Sequence, residues 1–327
     1  MAANPLEYIF PGAIAAQAIY AATKLGIPDL LAAGPKTVAD LASGCGADEP
    51  TLERLLRALT SLAIFERTPD GSYRNTPSTD VLRSDHPKTQ RDGAMFLTAP
   101  MLWLPLGELT ESVQTGKPAF NRIFGQSFFE FLSEHKEEAA LFNRVMTQGV
   151  AWTSPALLKA YDFSGFTRLV DVGGGQGALL HDILAATPKL EGVLFDLPAA
   201  VAGANEILLG DVARRIEVIG GNFFDYVPEG ADAYILKGVI HDWADEDAAR
   251  ILENIRRAMQ AGGTLLLVET LADCAERPSG LGDLLMLVIG GRDRTQTEFR
   301  LPLESSGFTL TQVIPAGANS LIECHPR

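Results

Sequence analysis

The chain has 327 residues, of which 46% are hydrophobic, and a formal net charge of −14. A chain of this length can bury two hydrophobic cores and commonly divides into two domains. The excess of acidic residues argues against a nucleic acid partner, because binding to a phosphate backbone depends on lysine and arginine.

The cysteines and histidines exclude several kinds of site. Cys45, Cys274 and Cys324 lie far apart and form no C-x-x-C motif, which predicts a reducing compartment and no structural zinc. The five histidines form no spaced ligand set, so no metal site is predicted. Residues 1–22 lack the basic start of a secretion signal and contain polar interruptions. We therefore expect a soluble cytoplasmic protein without a membrane partner.

The first hundred residues predict a helical domain with a wing. Apolar periodicity predicts a helix over 8–27 and shorter helices around 38–42 and 52–59. The segment FERTPDGSYR, residues 65–74, predicts a β-hairpin with an Asp-Gly turn. Two helices followed by a hairpin form the shape of a winged-helix domain.

A winged helix is also the shape of a DNA reader, so a non-enzymatic regulator has to be considered. Arg54 and Arg57 lie in the second short helix, but Glu49 and Glu53 accompany them and no basic patch surrounds them. The charge therefore disfavours DNA as a partner.

Residues 91–153 are rich in bulky apolar side chains. At helical spacing such residues are typical of a hydrophobic core, and they also suit the lining of a pocket for an aryl ligand. They are Phe96, Met101, Trp103, Phe120, Phe124, Phe128, Phe142, Met146 and Trp152.

The most informative segment is LVDVGGGQGA, residues 169–178, which Asp196 follows in the run VLFDLP. An apolar run that meets spaced glycines before a helix predicts a strand–turn–helix whose backbone a ligand can approach. A carboxylate at the end of the next parallel strand can bind both hydroxyls of a ribose. The pattern predicts a nucleoside-bearing cofactor.

Two cofactors fit this loop. Gly173, Gly175 and Ala178 match the G-x-G-x-x-A variant of the NAD fingerprint. Residues 171–177 equally match D-x-G-x-G-x-G, the pattern of S-adenosylmethionine (SAM) sites. Asp171 favours SAM, because a carboxylate would repel a pyrophosphate and attract the methionyl ammonium.

A second strand–loop–helix unit follows at residues 232–268. Residues 232–236 predict a buried strand, and three acidic residues at 245–247 suit the positive start of the next helix. His241 lies between them, just after the carboxyl end of the strand, where open α/β sheets place their chemistry.

Together these segments resemble a known family. The matching segments are DVGGGQG (171–177), FDLP (195–198), GGNFFD (220–225), LKGVIHDW (236–243), VET (268–270) and GGRDRTQTEF (290–299). Over nearly its whole length the sequence is similar to cation-independent, SAM-dependent O-methyltransferases, the group that includes plant caffeate enzymes and bacterial phenazine and polyketide enzymes.

The resemblance implies an α/β fold and a domain order. A Rossmann-like class I methyltransferase domain is expected over 155–327, with a doubly wound, mostly parallel sheet that ends in an antiparallel edge hairpin (308–314 and 320–324). An N-terminal α-helical winged-helix dimerisation domain is expected over 1–100, and a helical connector over 101–154 that lines the substrate pocket. We expect a homodimer formed through the first domain.

The resemblance also implies catalytic roles. His241 would be the general base that takes the proton from the acceptor hydroxyl, with Glu269 and Asp293 flanking the imidazole. The family usually has Glu at the second position, and Asp293 is one methylene shorter. Its hydrogen bond to the ring is therefore expected to be less secure than that of Glu269. The alternative is that Asp293 pairs with Arg292 or Arg294.

Further residues follow by position in the family. The expected contacts with SAM, and with its product S-adenosylhomocysteine (SAH), are Asp171, Gly173, Gly175, Asp196, Leu197, Asn222, Phe223, Lys237 and Ser154. Asn222 departs from the usual Asp, from which we expect weaker adenine binding. The expected acceptor contacts are Phe142, Met146, Val150, Met286, Asp242 and Trp103.

The function predicted is methyl transfer from SAM to a hydroxyl of a small aromatic acceptor, phenolic or polyketide-like. The nearest rival is a family member repurposed for decarboxylation, hydroxylation or a pericyclic reaction. An NAD-linked oxidoreductase and a SAM-sensing regulator are disfavoured by Asp171 and by the acidity of the chain. The same residues are compatible with a nitrogen or sulfur acceptor.

Overall fold

The computed structural model describes residues 9–204, 210–274 and 280–327. The chain forms two compact units, Met1–Trp103 and Leu104–Arg327. The predicted ranges 1–100, 101–154 and 155–327 stay predictions, since a single boundary does not test a connector.

The described part of the first unit is helical with one small hairpin. Its helices are α1 (Ile9–Lys24), α2 (Ile27–Leu30), α3 (Val38–Cys45), α4 (Glu49–Ser61), α5 (Pro77–Asp80) and α6 (Arg91–Thr98), and α7 (Pro100–Gly107) begins in this unit. Its strands are β1 (Phe65–Arg67) and β2 (Tyr73–Asn75), which pair antiparallel as predicted.

Local sequence accounts for these helices. The side chains of Thr37 and Asp48 accept hydrogen bonds from backbone N–H groups in the first turns of α3 and α4, which satisfies donors that a helix start leaves free. In α4, Leu52, Leu56 and Leu59 are buried along one side, against a core that includes Phe65 of the hairpin. Burial of that apolar face is what stabilises so short a helix.

The second unit carries the remaining elements. Its helices are α8 (Leu109–Thr115), α9 (Ala119–Phe124), α10 (Phe128–Glu134), α11 (Lys136–Ala160), α12 (Ala178–Ala186), α13 (Pro198–Val201), α14 (Asp245–Ala258), α15 (Gly280–Ile289) and α16 (Gln296–Ser305), with 3-10 turns at Phe163–Gly165, Gly210–Arg215 and Ile240–Asp242. Its strands are β3 (Arg168–Val172), β4 (Glu191–Asp196), β5 (Ile216–Gly220), β6 (Ala233–Lys237), β7 (Thr264–Glu269), β8 (Phe308–Ala316) and β9 (Asn319–Pro326).

The seven strands form one sheet in the order β5-β4-β3-β6-β7-β9-β8. The first five are parallel, and β9 pairs antiparallel with both β7 and β8. This confirms the doubly wound sheet and its antiparallel edge hairpin. The strand order reverses between β3 and β6, and ligands of such sheets bind at the carboxyl ends beside that point.

Side chains alternate between the two faces of this sheet. Val170 and Leu236 belong to one apolar cluster, while their neighbours Leu169 and Ile235 belong to another. Because alternate residues of a strand point to opposite faces, the sheet is buried on both sides. Near-complete burial of the central strands makes their carboxyl ends a rigid platform.

No helix in the described ranges is long and apolar enough to cross a membrane. Cys45, Cys274 and Cys324 are free thiols.

We predict that Tyr234→Phe destabilises the second unit. The fully buried hydroxyl lies 2.8 Å from the carbonyl oxygen of Pro228 and 3.0 Å from that of Ala258. Loss of the hydroxyl removes this donor from the buried carbonyl of Pro228, whereas that of Ala258 still accepts from the N–H of Gly230 at 3.3 Å. The free energy of unfolding should therefore fall by about 1–3 kcal/mol in urea titrations.

Tyr226→Phe is the matched control, since its hydroxyl is 3.5 Å from the carbonyl of Gly220 and the residue is 47% exposed. Its effect should stay within about 0.5 kcal/mol. Equal effects of the two substitutions would contradict the assignment.

Candidate active site

The loop after β6 presents His241 at the carboxyl edge of the sheet. Strand β6 ends at Lys237, and Gly238 has a φ of 59°, which allows the chain to turn sharply. The backbone N–H groups of Val239 and Ile240 then donate to Oε1 of Glu269, over 3.3 and 2.9 Å. The end of β7 thereby anchors the turn that carries His241.

Three carboxylates surround the imidazole. Nδ1 of His241 lies 3.6 Å from Oε2 of Glu269 and 3.7 Å from Oδ1 of Asp293. Nε2 lies 3.5 Å from Oδ1 of Asp242. The structure thus brings together the three residues predicted as catalytic and one predicted as an acceptor contact.

This surrounding charge controls the protonation of the ring. Burial disfavours the charged imidazole, but Glu269, Asp242 and Asp293 outweigh that penalty and raise the pKa of His241 to about 10. The ring side chain is 24% exposed, so solvent and ligands still reach it. The base form of the ring is therefore a minor species at neutral pH and becomes the major one as the pH approaches 10.

Glu269 is the most deeply buried of the three acids, with no exposed surface. Its Oε2 has no hydrogen-bond partner among the described residues and faces His241. Burial raises the pKa of Glu269, whereas His241, the two loop N–H groups and Lys237 act in the opposite direction. Burial likewise raises the pKa of Asp242, to about 6.

Asp293 is oriented by a residue that the sequence analysis missed. The backbone N–H of Asp293 donates to Oδ1 of Asp283 over 2.7 Å. The only signal for Asp283 was an acidic residue in the first turn of the apolar segment that forms α15. In the described residues, Arg292 pairs with Glu298 and Asp245, and Arg294 pairs with Asp245, so neither arginine pairs with Asp293.

The glycine loop, residues 173–177, connects β3 to α12. It lies beside the loop that carries His241. The N–H of Gly173 donates to the carbonyl of Phe195 over 2.8 Å. A Cβ on Gly173 would lie 2.8 Å from Cγ2 of Val239, whereas one on Gly175 would meet nothing within 4 Å. Gly173 therefore permits close packing, and Gly175, at φ 59°, presents backbone to open space.

Asp196 faces the glycine loop from the end of β4. Its carboxylate accepts N–H bonds from Gly175 at 2.8 Å and from Leu197 at 2.6 Å. Burial raises the pKa of Asp196, and these two bonds oppose the rise. Each carboxylate oxygen keeps a second lone pair, so the group can still accept from two further hydroxyls. Leu197 itself is 42% exposed.

Asp171 lies beneath the same loop and is 1% exposed. Its Oδ2 has no hydrogen-bond partner in the described ranges. Burial raises the pKa of Asp171 to about 7, Asp196 adds to the rise, and Lys237 opposes it. A buried oxygen without a donor suits a cationic ligand group, such as an ammonium.

Three of the other predicted cofactor residues lie at the carboxyl ends of strands. Lys237 ends β6, and Asn222 and Phe223 follow β5. Burial lowers the pKa of Lys237, while Glu269, Asp171 and Asp242 oppose the fall. The ammonium of Lys237 thus interacts with a carboxylate of the predicted cofactor site and with two carboxylates near His241. Oδ1 of Asn222 accepts from the N–H of Phe224 at 3.0 Å. The ring of Phe223 meets that of Trp243 edge-on, at 5.9 Å between centroids.

Ser154 has a different contact from the one expected. Its buried hydroxyl donates to the carboxylate of Asp182 on α12. The predicted role of Ser154 near a methionyl carboxylate is untested, and it would require this hydroxyl to share or change its partner.

The predicted acceptor contacts lie on several elements. Phe142, Met146 and Val150 are on α11 and Met286 is on α15. The ring of Phe142 packs edge-on against that of Phe128, at 5.6 Å. Trp103 ends the first unit and is half-buried, and its role in the pocket stays a prediction.

An aromatic contact missed from the sequence is that of Phe129. Its ring stacks on Trp243 at 5.3 Å with an interplanar angle of 19°, and it also meets Phe142 edge-on. Phe129 on α10 therefore connects the residues predicted to line the acceptor pocket with the loop that carries His241. Its neighbour Phe128, but not Phe129, was among the bulky residues named from the sequence.

Within residues 9–204, 210–274 and 280–327, no group of three or more His, Cys, Asp or Glu side chains is arranged to hold a metal ion.

Two family models match the chain. Residues 106–309 match an O-methyltransferase domain, and residues 7–85 match an O-methyltransferase dimerisation domain. Together the matches reach from the winged-helix segment to the terminal hairpin.

Relatives extend over almost the full length. A mitomycin biosynthesis 6-O-methyltransferase from Streptomyces lavendulae is 40% identical over 316 residues, covering 95% of this chain and 90% of the relative. An 8-amino-8-demethylriboflavin N,N-dimethyltransferase from Streptomyces davaonensis is 38% identical over 313 residues, covering 94% of this chain and 90% of the relative.

A solved structure extends the comparison to ligands. It is an O-methyltransferase from neocarzinostatin biosynthesis in complex with SAM and 2-hydroxy-5-methyl naphthoic acid. It is 32% identical, with a TM-score of 0.87, and the match covers 96% of each chain.

We predict opposite stability effects for two Asp→Asn substitutions in the second unit. The pKa of Asp171 is raised to about 7, so burial of its charge costs stability, and the cost grows as pH rises from about 4 to 7. Asp171→Asn should therefore raise the free energy of unfolding at pH values above 7, on the order of 2 kcal/mol. It should at the same time weaken SAH binding in calorimetry.

Asp232→Asn is the control. Burial opposes ionisation there too, but donors from Arg168 and Thr167 outweigh it and lower the pKa of Asp232. This substitution should destabilise the protein by about 1–2 kcal/mol and leave SAH binding unchanged. If Asp171→Asn also destabilised the protein, the burial cost assigned to Asp171 would be wrong.

Proposed function

The chain belongs to the SAM-dependent O-methyltransferase family, and we propose that it transfers the methyl group of SAM to a hydroxyl of a small aromatic acceptor, phenolic or polyketide-like. The observation that carries this proposal is the imidazole of His241, which lies among Glu269, Asp242 and Asp293 beside the glycine loop. Family membership and the use of SAM agree with the sequence-based predictions.

The residues at the carboxyl edge of the sheet fit SAM. The unpartnered oxygen of Asp171 suits the methionyl ammonium, and the free lone pairs of Asp196 suit the ribose hydroxyls. Phe223 would contact the adenine, and Lys237 interacts with Asp171 on the cofactor side and with Glu269 and Asp242 beside His241. When bound, SAM supplies an electrophilic methyl group on a positively charged sulfonium.

His241 is suited to take the proton of the acceptor. A phenol has a pKa of about 10, close to that of His241, so proton transfer between them is nearly balanced in free energy. Glu269 and Asp293 stabilise the imidazolium that forms and hold Nδ1 on their side, which directs Nε2 toward the acceptor. General base catalysis of this kind contributes roughly 10²–10⁴-fold. The proposal includes no metal ion, since His241 performs the proton transfer.

The acceptor is proposed to be an oxygen atom. One relative is named for the methylation of an amino group, so the family name alone does not choose the atom. A neutral aromatic amine can attack before it loses a proton, whereas a phenol gains much nucleophilicity when a base removes its proton. The three acids that support His241 therefore favour a hydroxyl.

A second part of the proposal is a homodimer formed through the N-terminal domain, with no nucleic acid or membrane partner. It is supported by the match of residues 7–85 to a dimerisation domain and by the net charge of −14.

The test is an acceptor screen with SAM that carries an isotopically labelled methyl group. Naphthols, hydroxynaphthoquinones and hydroxyphenazines are incubated with the protein, and the products are analysed by mass spectrometry. We expect a labelled methyl ether for at least one phenol. His241→Ala should lower its formation by roughly 10²–10⁴-fold while SAH still binds.

His325→Asn is the control, since His325 is 41% exposed and pairs with Glu323 on the terminal hairpin. It should leave turnover unchanged. A product without the label would favour the repurposed family member, and unchanged turnover in His241→Ala would remove His241 as the base.

A further inference from the structure

Three carbonyl groups of the loop that carries His241 accept hydrogen bonds from one other segment of the chain. The carbonyls of Ile240, His241 and Trp243 all accept hydrogen bonds from residues 291–294. The N–H of Arg292 donates to the carbonyl of His241 itself, over 2.7 Å. The loop is thus held by Glu269 through its N–H groups and by this segment through its carbonyls.

Arg294 makes the side-chain part of this contact. It has no exposed surface, although its guanidinium is charged. Nη1 donates to the carbonyl of Ile240 over 2.9 Å, and Nη2 donates to that of Trp243 over 2.8 Å. The two carbonyls flank His241 and Asp242, so one rigid planar group spans the residues on either side of the imidazole.

The charge of Arg294 is compensated at the start of the next helix. Nε and Nη2 donate to Oδ1 of Asp245, over 2.9 and 2.7 Å. The side chain of Asp245 is 44% exposed, so solvent screens this ion pair while Arg294 still carries a desolvation cost, and the pair adds little to stability. A fully buried arginine whose donors reach two loop carbonyls is therefore better explained by the geometry that it imposes.

Gly291 brings the segment close enough for these bonds. A Cβ at this position would lie 2.3 Å from the carbonyl oxygen of His241 and 3.1 Å from Cα of Asp242. Only a residue without a side chain allows the two backbones to approach this closely.

We propose that Arg294, together with Gly291 and the backbone N–H of Arg292, is the positioning device that holds His241 at its working distance from Glu269, Asp293 and Asp242. The inference rests on the proposed function, in which His241 acts on the acceptor. Arg294 is a positioning residue, since its guanidinium donates to the loop carbonyls and to Asp245 and lies over the ring of Phe299, rather than bonding the imidazole.

The protonation of His241 reports this positioning directly. The charged groups that face the ring are Glu269 on β7, Asp293 before α16 and Asp242 on its own loop, and Lys237 lies at the end of β6. A relaxed loop moves the ring away from the carboxylates, and its pKa then falls. Loss of a nearby positive charge without movement would instead raise the pKa, so the sign of the shift separates the two effects.

The experiment is an NMR titration of the histidine rings in the SAH complex of the full chain, with the His241 signal assigned by its loss in His241→Asn. In Arg294→Lys, the charge is kept but two carbonyls and Asp245 cannot all be reached. We expect the pKa of His241 to fall by about one unit or more. Gly291→Ala, which changes no charge, should produce the same direction of shift.

Arg215→Met is the matched control. Arg215 donates to the carbonyls of Leu184, Thr187 and Leu190, at the end of α12, over 2.7–3.1 Å. It should lower the thermal midpoint but leave the pKa of His241 unchanged.

An unchanged His241 titration in both Arg294→Lys and Gly291→Ala would overturn the inference, as would an equal shift in Arg215→Met. The titration needs no acceptor. A wild-type protein that methylates no hydroxyl would therefore refute the proposed function without changing this result.

Discussion

Compensation of the buried charge of Glu269 is the constraint on which the site depends. A carboxylate without exposed surface is costly unless donors and opposite charge surround it. One oxygen obtains two N–H groups of the loop after β6, and the other faces the imidazole of His241. Glu269 therefore contributes both to the geometry of the loop and to the raised pKa of His241, to which Asp242 and Asp293 add.

Two basic side chains at this edge of the sheet have pKa values that are shifted in opposite directions. Burial lowers the pKa of Lys237, whereas nearby carboxylates raise the pKa of His241 to about 10. On the cofactor side, the pKa of Asp171 is raised because its carboxyl group is buried without a donor on Oδ2. Opposed shifts of titratable groups in one cleft are typical of sites that bind charge and transfer protons. Here the sheet places both sides at the point where the strand order reverses.

Local sequence patterns predicted many of the helices and strands. The glycine loop and the strand before His241 could be predicted because periodicity and turn residues act over a few neighbours. The terminal hairpin followed from the family resemblance. Boundaries were less accurate. The first helix was predicted to residue 27 but ends at Lys24, because Gly26 adopts a left-handed φ of 71° and a new helix begins at Ile27.

Contacts between distant segments were not predictable in the same way. Arg294 lies 54 residues from Ile240, and its role depends on how the segment after α15 packs against the loop after β6. The stacking of Phe129 on Trp243 likewise joins elements far apart in the chain. Spacing within one element contains no information on such pairs, whereas the family motif placed His241, Glu269 and Asp293 near one another correctly because it reflects the assembled site.

The most direct test of the account is the pH dependence of kcat/KM for methylation of a weakly acidic phenol, measured on the wild type and on Glu269→Gln. Because kcat/KM reports the ionisations of the free enzyme and the free acceptor, the acceptor is chosen with a pKa well above 10. The value should then rise about tenfold per pH unit from neutral pH toward the pKa of His241, near 10. Glu269→Gln removes a negative charge beside the ring and should displace this rise to lower pH. A plateau that already begins near pH 7 in the wild type, or identical profiles for the two proteins, would contradict the claim that buried carboxylates control the proton on His241.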